Sequence, residues 1–295
     1  MTITVEACYV YPLKSAAAVP VEQLELTPRG PAHDRRWLLV HDAPERRGLF
    51  ITQREPECAK LALVAALPSA NGSIEFRAPE AGALQVNEST LADRDGTVEI
   101  WGDHCKALDA GDEAADWFSS YLGFSCRLVK MDERFERPTD PDYSRPGDHV
   151  SFADGMPLLV ANSASLQALN ERISDGPVGM ERFRPNIVLG GAAAFEEDVM
   201  HELRIGEALL ELTKPCARCK MPTIDQNTGL APSNEPMSTL VATRRGNAGG
   251  LRGVFFGQNA FPRQLAPIRR GDTVEVLSRQ PMHAVLENAE LRYVP

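Results

Sequence analysis

Alternation of apolar and polar residues with a period of two is the main regular pattern along this chain, and it predicts a protein built mainly from β-strands. In residues 3–11, apolar or aromatic side chains occupy every second position until Pro12 ends the pattern. Residues 37–41 are mostly apolar and of strand length. Further predicted strands are separated by turn residues, at positions 21–26, 61–67, 73–77, 97–101, 158–161, 208–213, 253–259 and 268–277.

Two segments change to a helical period of about 3.6 residues. The first is residues 112–122, for which Asp112 is the predicted N-cap and Gly123 the stop signal. Its apolar positions recur at helical spacing and are expected in the core: Ala114, Trp117, Phe118, Tyr121 and Leu122. The second is residues 163–173, with Asn162 or Ser163 as the predicted N-cap.

A stretch rich in charge, Pro, Asp and Gly at positions 130–149 predicts a loop or linker between two halves. We therefore expect subdomains at residues 1–128 and 129–295. Many short strands separated by turns favour sheets of a barrel-like kind. The predicted fold class is mainly β (α+β), with two interlocked β-barrel-like subdomains and a few peripheral helices. A second reading of the charged stretch is that it lines the mouth of an active site.

Composition and charge narrow the function. The 295 residues carry 31 basic and 41 acidic side chains, for a net charge of −10, which argues against a general binder of nucleic acids or anionic membranes. Any anion-binding site must therefore be local. The longest clean apolar run, residues 61–67, is far shorter than the ~20 residues of a membrane helix. No secretory signal and no disulfide framework are recognisable, so we expect a reducing, cytoplasmic location.

Reactive chemistry is concentrated in residues 214–229, KPCARCKMPTIDQNTG. Cys216 and Cys219 form a C-x-x-C pair beside basic residues, which favour the thiolate. On spacing alone the pair suits a redox couple, half of a zinc site, a metal–thiolate ligand or an inert loop. A structural zinc site is disfavoured, because the sequence has neither a second C-x-x-C pair nor a nearby His to complete four ligands. A thioredoxin-like motif is disfavoured too, because Pro215 and Pro222 do not suit the start of a helix. We expect the motif in a loop after the strand 208–213.

The same stretch continues in a pattern that resembles a known family. C-x-R-C, then four residues and [VI]-D-x-x-T-G, resembles the signature of the MOSC domain, the molybdenum-cofactor sulfurase C-terminal family, in the branch of the mitochondrial amidoxime-reducing component. Four further segments extend the resemblance over essentially the whole chain: Y-P-x-K-S at 11–15, D-R-x-W at 34–37, F-R-P-N-I-V at 183–188 and F-G-Q at 256–258. Residues 51–56 also resemble a family segment, to which we assign no role.

The resemblance implies a molybdenum cofactor (Mo-molybdopterin), with Cys219 as the metal ligand and catalytic residue. The cofactor-binding positions that it implies are Lys14, Ser15, Arg35, Asp154, Gly155, Arg184, Asn186, Arg218 and Asn259. Arg184 would meet the phosphate and Asn186 the pterin. On the residues alone, Lys14 and Ser15 also suit a solvated turn, and Arg35 a surface pair with Asp34.

The implied activity is reduction of small N-hydroxylated compounds such as amidoximes and hydroxylamines, with Cys216 either as a bystander or as a thiol that contacts the metal's ligands without binding the metal. No C-x4-C-x2-C run of a plant-type ferredoxin occurs, so electrons would come from a separate ferredoxin, flavodoxin or reductase. We expect neither a membrane anchor nor nucleic acid as a partner. Two other functions stay open: a sulfur carrier that uses a cysteine persulfide, and a non-catalytic carrier of the molybdenum cofactor.

Overall fold

The first predicted strand belongs to a sheet of nine strands that dominates the fold of the computed structural model, which describes residues 2–93 and 96–295. Along Thr4–Val10 the side chains alternate between more and less buried positions, as a half-buried strand requires. In chain order the nine strands are Thr4–Val10, Val19–Val21, Leu158–Asn162, Ile187–Gly190, Met200–Ile205, Ala208–Ala217, Arg245–Ala248, Leu251–Gln264 and Val274–Arg279. The mainly β fold class is confirmed.

Distant parts of the chain interlock in this sheet. Thr4–Val10 pairs antiparallel with Ile187–Gly190, which in turn lies parallel to Leu158–Asn162. Strands of both halves therefore share one core. The hydrogen-bonded ladder is not a closed barrel, although an isolated bridge joins Thr4, in the second strand from one end, to Thr273, directly before the strand at the other end. The subdomain boundary near residue 128 stays a prediction.

The first half adds smaller sheets with their own cores. A four-stranded sheet contains Trp37–His41, Ala92–Asp93, Ala107–Asp109 and Cys126–Met131, and a three-stranded one contains Ala65–Pro68, Ser73–Ala78 and Gly82–Asn87. Four two-stranded pairs complete the described strands: Gln23–Leu24 with Ile268–Arg269, Leu26–Thr27 with Gly30–Pro31, Val98–Ile100 with Asp103–Cys105, and Arg137–Pro138 with His149–Val150.

The helices contact the strands of these sheets: the first packs against Cys126–Met131 and the second against Leu158–Asn162 and Ile187–Gly190. The α-helices of the described chain are Asp112–Leu122, Ser163–Asn170 and Met237–Thr243. Gly123, at a φ of 88°, ends the first as predicted, but its N-cap is Gly111 and not Asp112. Asn162 caps the second, since its side chain accepts the Ala164 N–H at 3.0 Å. The described 3-10 helices are Pro44–Arg46, Pro56–Leu63, Glu88–Thr90, Met180–Phe183, Glu196–Val199 and Met221–Thr223.

Several predicted strands differ from the structure. Residues 61–67 are not one strand: the 3-10 helix Pro56–Leu63 covers the first part, with Pro56 at its start, and Ala65–Pro68 follows as the strand. A short apolar run does not distinguish a buried helix from a buried strand. Residues 268–277 do not form a hairpin, because Ile268–Arg269 pairs with Gln23–Leu24 instead.

A buried polar network lies under the large sheet. Arg244 and Asp198 form an ion pair with no side-chain exposure, at 2.7 Å from Nη1 to Oδ2. Gln258 donates to the same carboxylate at 2.8 Å. The neighbouring Glu197 is also fully buried and accepts the Ser165 hydroxyl at 2.8 Å. Burial and the adjacent Asp198 charge raise the pKa of Glu197 from 4.5 to about 7.

We predict that this carboxyl makes stability fall as the pH rises through neutrality. The folded protein binds the Glu197 proton more tightly than the unfolded chain, so the stabilisation is complete below pH 4.5 and is lost as the pH rises through about 7. The loss in unfolding free energy is of order 1–3 kcal/mol. Urea unfolding between pH 5 and 8, compared with Glu197→Gln, measures it. An equal slope in both proteins would contradict the assignment.

Candidate functional site

One cavity of about 290 Å³ opens between the segment that follows the first strand, the loop before Leu158–Asn162, the turn before Ile187–Gly190 and the end of the cysteine-bearing strand. All ten residues predicted from the sequence line it: Lys14, Ser15, Arg35, Asp154, Gly155, Arg184, Asn186, Arg218, Cys219 and Asn259. They come from positions up to 245 residues apart, so only the fold brings them together.

Lys14 and Ser15 are buried, which excludes the solvated turn as their environment. The backbone of Trp37 holds this segment, because its N–H donates to the Pro12 oxygen and its oxygen accepts the Lys14 N–H, each at 2.9 Å. The Lys14 ammonium donates to the Phe152 backbone oxygen at 2.8 Å and forms an ion pair with Asp154. Burial lowers the pKa of Lys14, and the Asp154 carboxylate opposes that shift.

The aromatic ring of Tyr11 lies between two guanidinium groups that line the cavity. Arg35 lies 4.1 Å from the ring centroid and Arg184 lies 4.3 Å from it. Tyr11 is fully buried, and its hydroxyl donates to the Pro185 backbone oxygen at 3.0 Å. The ring thus fixes both cations in place. Sequence reasoning missed this role, although the Y-P-x-K-S segment contains the residue.

Arg35 is hydrogen-bonded to the turn that contains Arg184. Its guanidinium pairs with the buried Asp34 carboxylate and donates to the Arg184 backbone oxygen at 3.1 Å. Arg184 in turn donates to the Ala16 backbone oxygen at 2.6 Å. Burial and the neighbouring Arg35 charge lower the pKa of Arg184 to about 10. The pair of Asp34 and Arg35 exists, but inside the protein and not on its surface.

Three cavity residues have a left-handed backbone: Ser15 at a φ of 64°, Arg35 at 48° and Arg184 at 57°. Such a conformation costs a non-glycine residue roughly 1–2 kcal/mol. Strain of this kind persists only where the surrounding contacts determine the geometry. Here it directs three polar side chains of separate segments toward one cavity.

The side-chain amide of Asn186 is already hydrogen-bonded within the protein, which the sequence does not show. Its side-chain oxygen accepts the Leu159 N–H at 3.1 Å and the Arg35 guanidinium at 3.3 Å. Its amide nitrogen donates to the Tyr9 backbone oxygen at 3.2 Å. The amide therefore joins two strands and one cation of the site, and its contact with a pterin stays a prediction.

The two cysteines occupy different structural positions. The strand Ala208–Ala217 continues past Thr213, because Pro215 still pairs with Gln258, so Cys216 lies in the strand and not in a loop. Cys219 lies in the turn that follows. Each thiol accepts one N–H: Cys216 from Arg218 Nη1 at 3.0 Å, and Cys219 from the Met221 backbone at 3.5 Å.

The rest of the cysteine motif holds this turn in shape. Arg182 donates to the backbone oxygens of Pro222 and Thr223, each at 3.1 Å, and pairs with Asp225 at 2.8 Å. The Asp225 carboxylate also accepts the backbone N–H of Asn227 at 2.8 Å. The [VI]-D-x-x-T-G part of the signature therefore positions Cys219 and lies outside the cavity lining.

The cavity is cationic in a protein with a net charge of −10. Its lining includes six basic side chains, from Lys14, Arg35, Arg54, Arg184, Lys214 and Arg218, and one carboxylate, from Asp154. Although burial opposes it, the charges of Lys14 and Arg54 hold the pKa of Asp154 well below its usual range. Such a field favours an anionic ligand.

Arg54 and Thr52 also line the cavity, and both lie in residues 51–56, the family-like segment whose sequence alone indicates no role. The buried Nε atoms of Arg54 and Arg218 have no hydrogen-bond partner among the described residues. A buried N–H without a partner is costly, so both donors suit an anionic acceptor in the cavity.

The predicted linker contributes to the site from outside. Arg137 donates to three backbone oxygens of residues 151–154, including that of Ser151 at 3.1 Å. Lys214 lies 4.3 Å from the ring centroid of Tyr143 and 3.6 Å from the Asp140 carboxylate. The stretch therefore contacts residues of the cavity from outside, but none of residues 130–149 is among those that line it, so its place at the mouth of the site stays a prediction.

Comparison with known proteins identifies relatives over most of the chain. The MOSC domain matches residues 147–275 and the MOSC N-terminal beta barrel domain matches residues 2–125, which confirms the predicted resemblance. Mitochondrial amidoxime reducing component 2 of Homo sapiens is 33% identical over 251 residues, covering 82% of this chain and 72% of that protein. Mitochondrial amidoxime-reducing component 1 of Xenopus laevis is 29% identical over 287 residues, covering 92% and 81%.

The expected cytoplasmic location is wrong by this comparison, because the relatives that match most of the chain are named as mitochondrial proteins. Cysteine usage does not distinguish two reducing compartments. Among residues 2–93 and 96–295, no helix is both long and apolar enough to cross a membrane.

Proposed function

Since the chain belongs to the MOSC family that includes the mitochondrial amidoxime-reducing components, we propose that it is a molybdenum-cofactor-binding oxidoreductase that reduces N-hydroxylated compounds. The observation that carries the proposal is the meeting of six basic side chains and the Cys219 thiol on one cavity. Basic side chains would bind the anionic phosphate of the pterin, and a thiol would bind a soft metal.

The residues present fit such a cofactor. Arg184 and Lys14 would hold the phosphate, the first with a planar fork and the second as a point charge. The unpaired Nε donors of Arg54 and Arg218 would donate to further acceptors of the same ligand. Cys219 would ligate the metal through its sulfur, which also accepts the Met221 N–H at 3.5 Å.

Reduction of an N–OH group to N–H and water consumes two electrons and two protons. When bound, the molybdenum cofactor supplies the two-electron redox change. The chain's own share is to hold the ligand with Arg35 and Arg184, which Tyr11 fixes, and to keep Cys219 in position through Arg182 and Asp225. Electrons would come from a separate ferredoxin, flavodoxin or reductase.

The test is reduction of benzamidoxime by protein purified from a host that makes molybdopterin, with a reduced viologen as electron donor. We expect one benzamidine for every two viologen radicals oxidised, and no product from protein freed of pterin. Protein that carries molybdenum and pterin but yields no reduced product from amidoximes, hydroxamic acids or hydroxylamines would contradict the proposed activity.

A further inference from the structure

Trp101 is a large aromatic side chain that stays 45% exposed at the edge of the cavity. Its indole N–H donates to the Asp154 carboxylate at 3.1 Å, and the Arg54 guanidinium lies 4.2 Å from its ring centroid. Both partners line the cavity, whereas Trp101 itself lies one layer further out. It therefore stands at the mouth of the site.

The backbone at this position does not favour a tryptophan. Trp101 and Gly102 form the two-residue turn between Val98–Ile100 and Asp103–Cys105, with φ angles of 54° and 91°. A turn with two positive φ angles favours Asn-Gly, because a bulky residue in the left-handed region is strained. The contacts of the Trp101 side chain must therefore offset the backbone strain of this turn, which Asn would reduce.

Contacts with three side chains hold the indole of Trp101 in place and leave part of it exposed. The ring packs edge-on against Phe50, at 4.6 Å between centroids, and Phe50 is almost fully buried. Arg54 covers part of the ring and Asp154 fixes its N–H, so little side-chain entropy is left to lose on binding. An immobile aromatic surface at a cavity mouth is suited to stacking with a planar group.

We propose that Trp101 is a specificity-determining residue that stacks against the planar, uncharged substituent of the N-hydroxylated substrate. This rests on the proposed function. The substituent should be uncharged for two reasons. Arg54 already makes the cation–π contact with the Trp101 ring, and the basic side chains of the cavity disfavour a second cation. Aryl compounds should therefore bind better than alkyl compounds that carry the same N–OH group.

Trp101→Asn tests the proposal, because Asn suits the turn and removes the ring. With viologen as donor, we expect the KM for benzamidoxime to rise about 3- to 10-fold, with kcat nearly unchanged and little change for acetamidoxime. Trp101→Phe should keep most of the aryl preference. Leu277→Ala, at a 37% exposed residue on the outer strand of the large sheet, is the matched control and should alter neither substrate.

Two results would overturn the inference and leave the proposed function standing: no change in KM, or an equal change for both substrates, which indicates a structural role. A rate loss with a protein donor but not with viologen would assign Trp101 to donor docking and also overturn the inference.

If wild-type protein reduces neither compound, the proposed function fails. Tryptophan fluorescence then tests the stacking alone, since benzamidoxime should quench the wild type and not Trp101→Phe; equal quenching would refute it.

Discussion

Cys219→Ser should abolish reduction of N-hydroxylated compounds, with a loss of at least about 10³-fold in kcat, while the pterin stays bound. Serine keeps the size of the side chain but replaces a soft sulfur donor by a hard hydroxyl. Within residues 2–93 and 96–295 the thiol has one hydrogen bond, from the Met221 N–H at 3.5 Å, so its replacement should leave the fold intact. Viologen-driven benzamidoxime reduction and pterin fluorescence measure the two effects separately.

Cys216→Ser is the matched control for this change. Both thiols line the same cavity and each accepts one N–H, but Cys216 lies in the strand and would remain a bystander. We expect it to keep most of the activity. Equal losses in the two variants would contradict a single metal-ligating thiol. Unchanged cofactor transfer by Cys219→Ser would favour the cofactor-carrier function, whereas full reductase activity would contradict Cys219 as the catalytic metal ligand.

Arg184→Ala should empty the cavity of cofactor. The change removes a buried guanidinium, and hydrogen bonds to charged groups are worth about 1.5–3 kcal/mol each, or roughly 10- to 150-fold in affinity. It also frees one face of Tyr11 and the Ala16 backbone oxygen. We expect pterin and molybdenum contents below about a tenth of the wild-type values.

Arg184→Lys separates charge from geometry. It keeps a cation but loses the planar fork, so an intermediate cofactor content is expected. The melting temperature of each variant shows whether loss of ligand follows from loss of fold, because both substitutions place a new residue at a φ of 57°. Wild-type cofactor content in a stably folded Arg184→Ala would remove Arg184 from the binding site.

Sequence motifs predicted ten residues that line one cavity, and the pairing of the strands explains how they meet. The Y-P-x-K-S, D-R-x-W and F-R-P-N-I-V segments each predict polar residues beside a strand, but periodicity does not say which strands are neighbours. The parallel pair Leu158–Asn162 and Ile187–Gly190, with Thr4–Val10 beside it, is what brings Lys14 close to Arg184. Such pairing between distant segments leaves no local signal.

The residues that sequence reasoning missed act through contacts between segments. Tyr11 reads as the last apolar position of a strand, yet its ring separates two guanidinium groups. Trp101 reads as the end of a strand, yet it forms the first position of a strained turn at the cavity mouth. For Asn186, the sequence could not show that its amide is already bonded to three partners within the protein.

The most direct test of a molybdenum-cofactor site is metal analysis of protein purified from a host that makes molybdopterin, together with fluorescence of the oxidised pterin released on denaturation. We predict near-stoichiometric molybdenum and pterin. Zinc in place of molybdenum, or a folded protein that stays empty when the cofactor is supplied, would contradict the site.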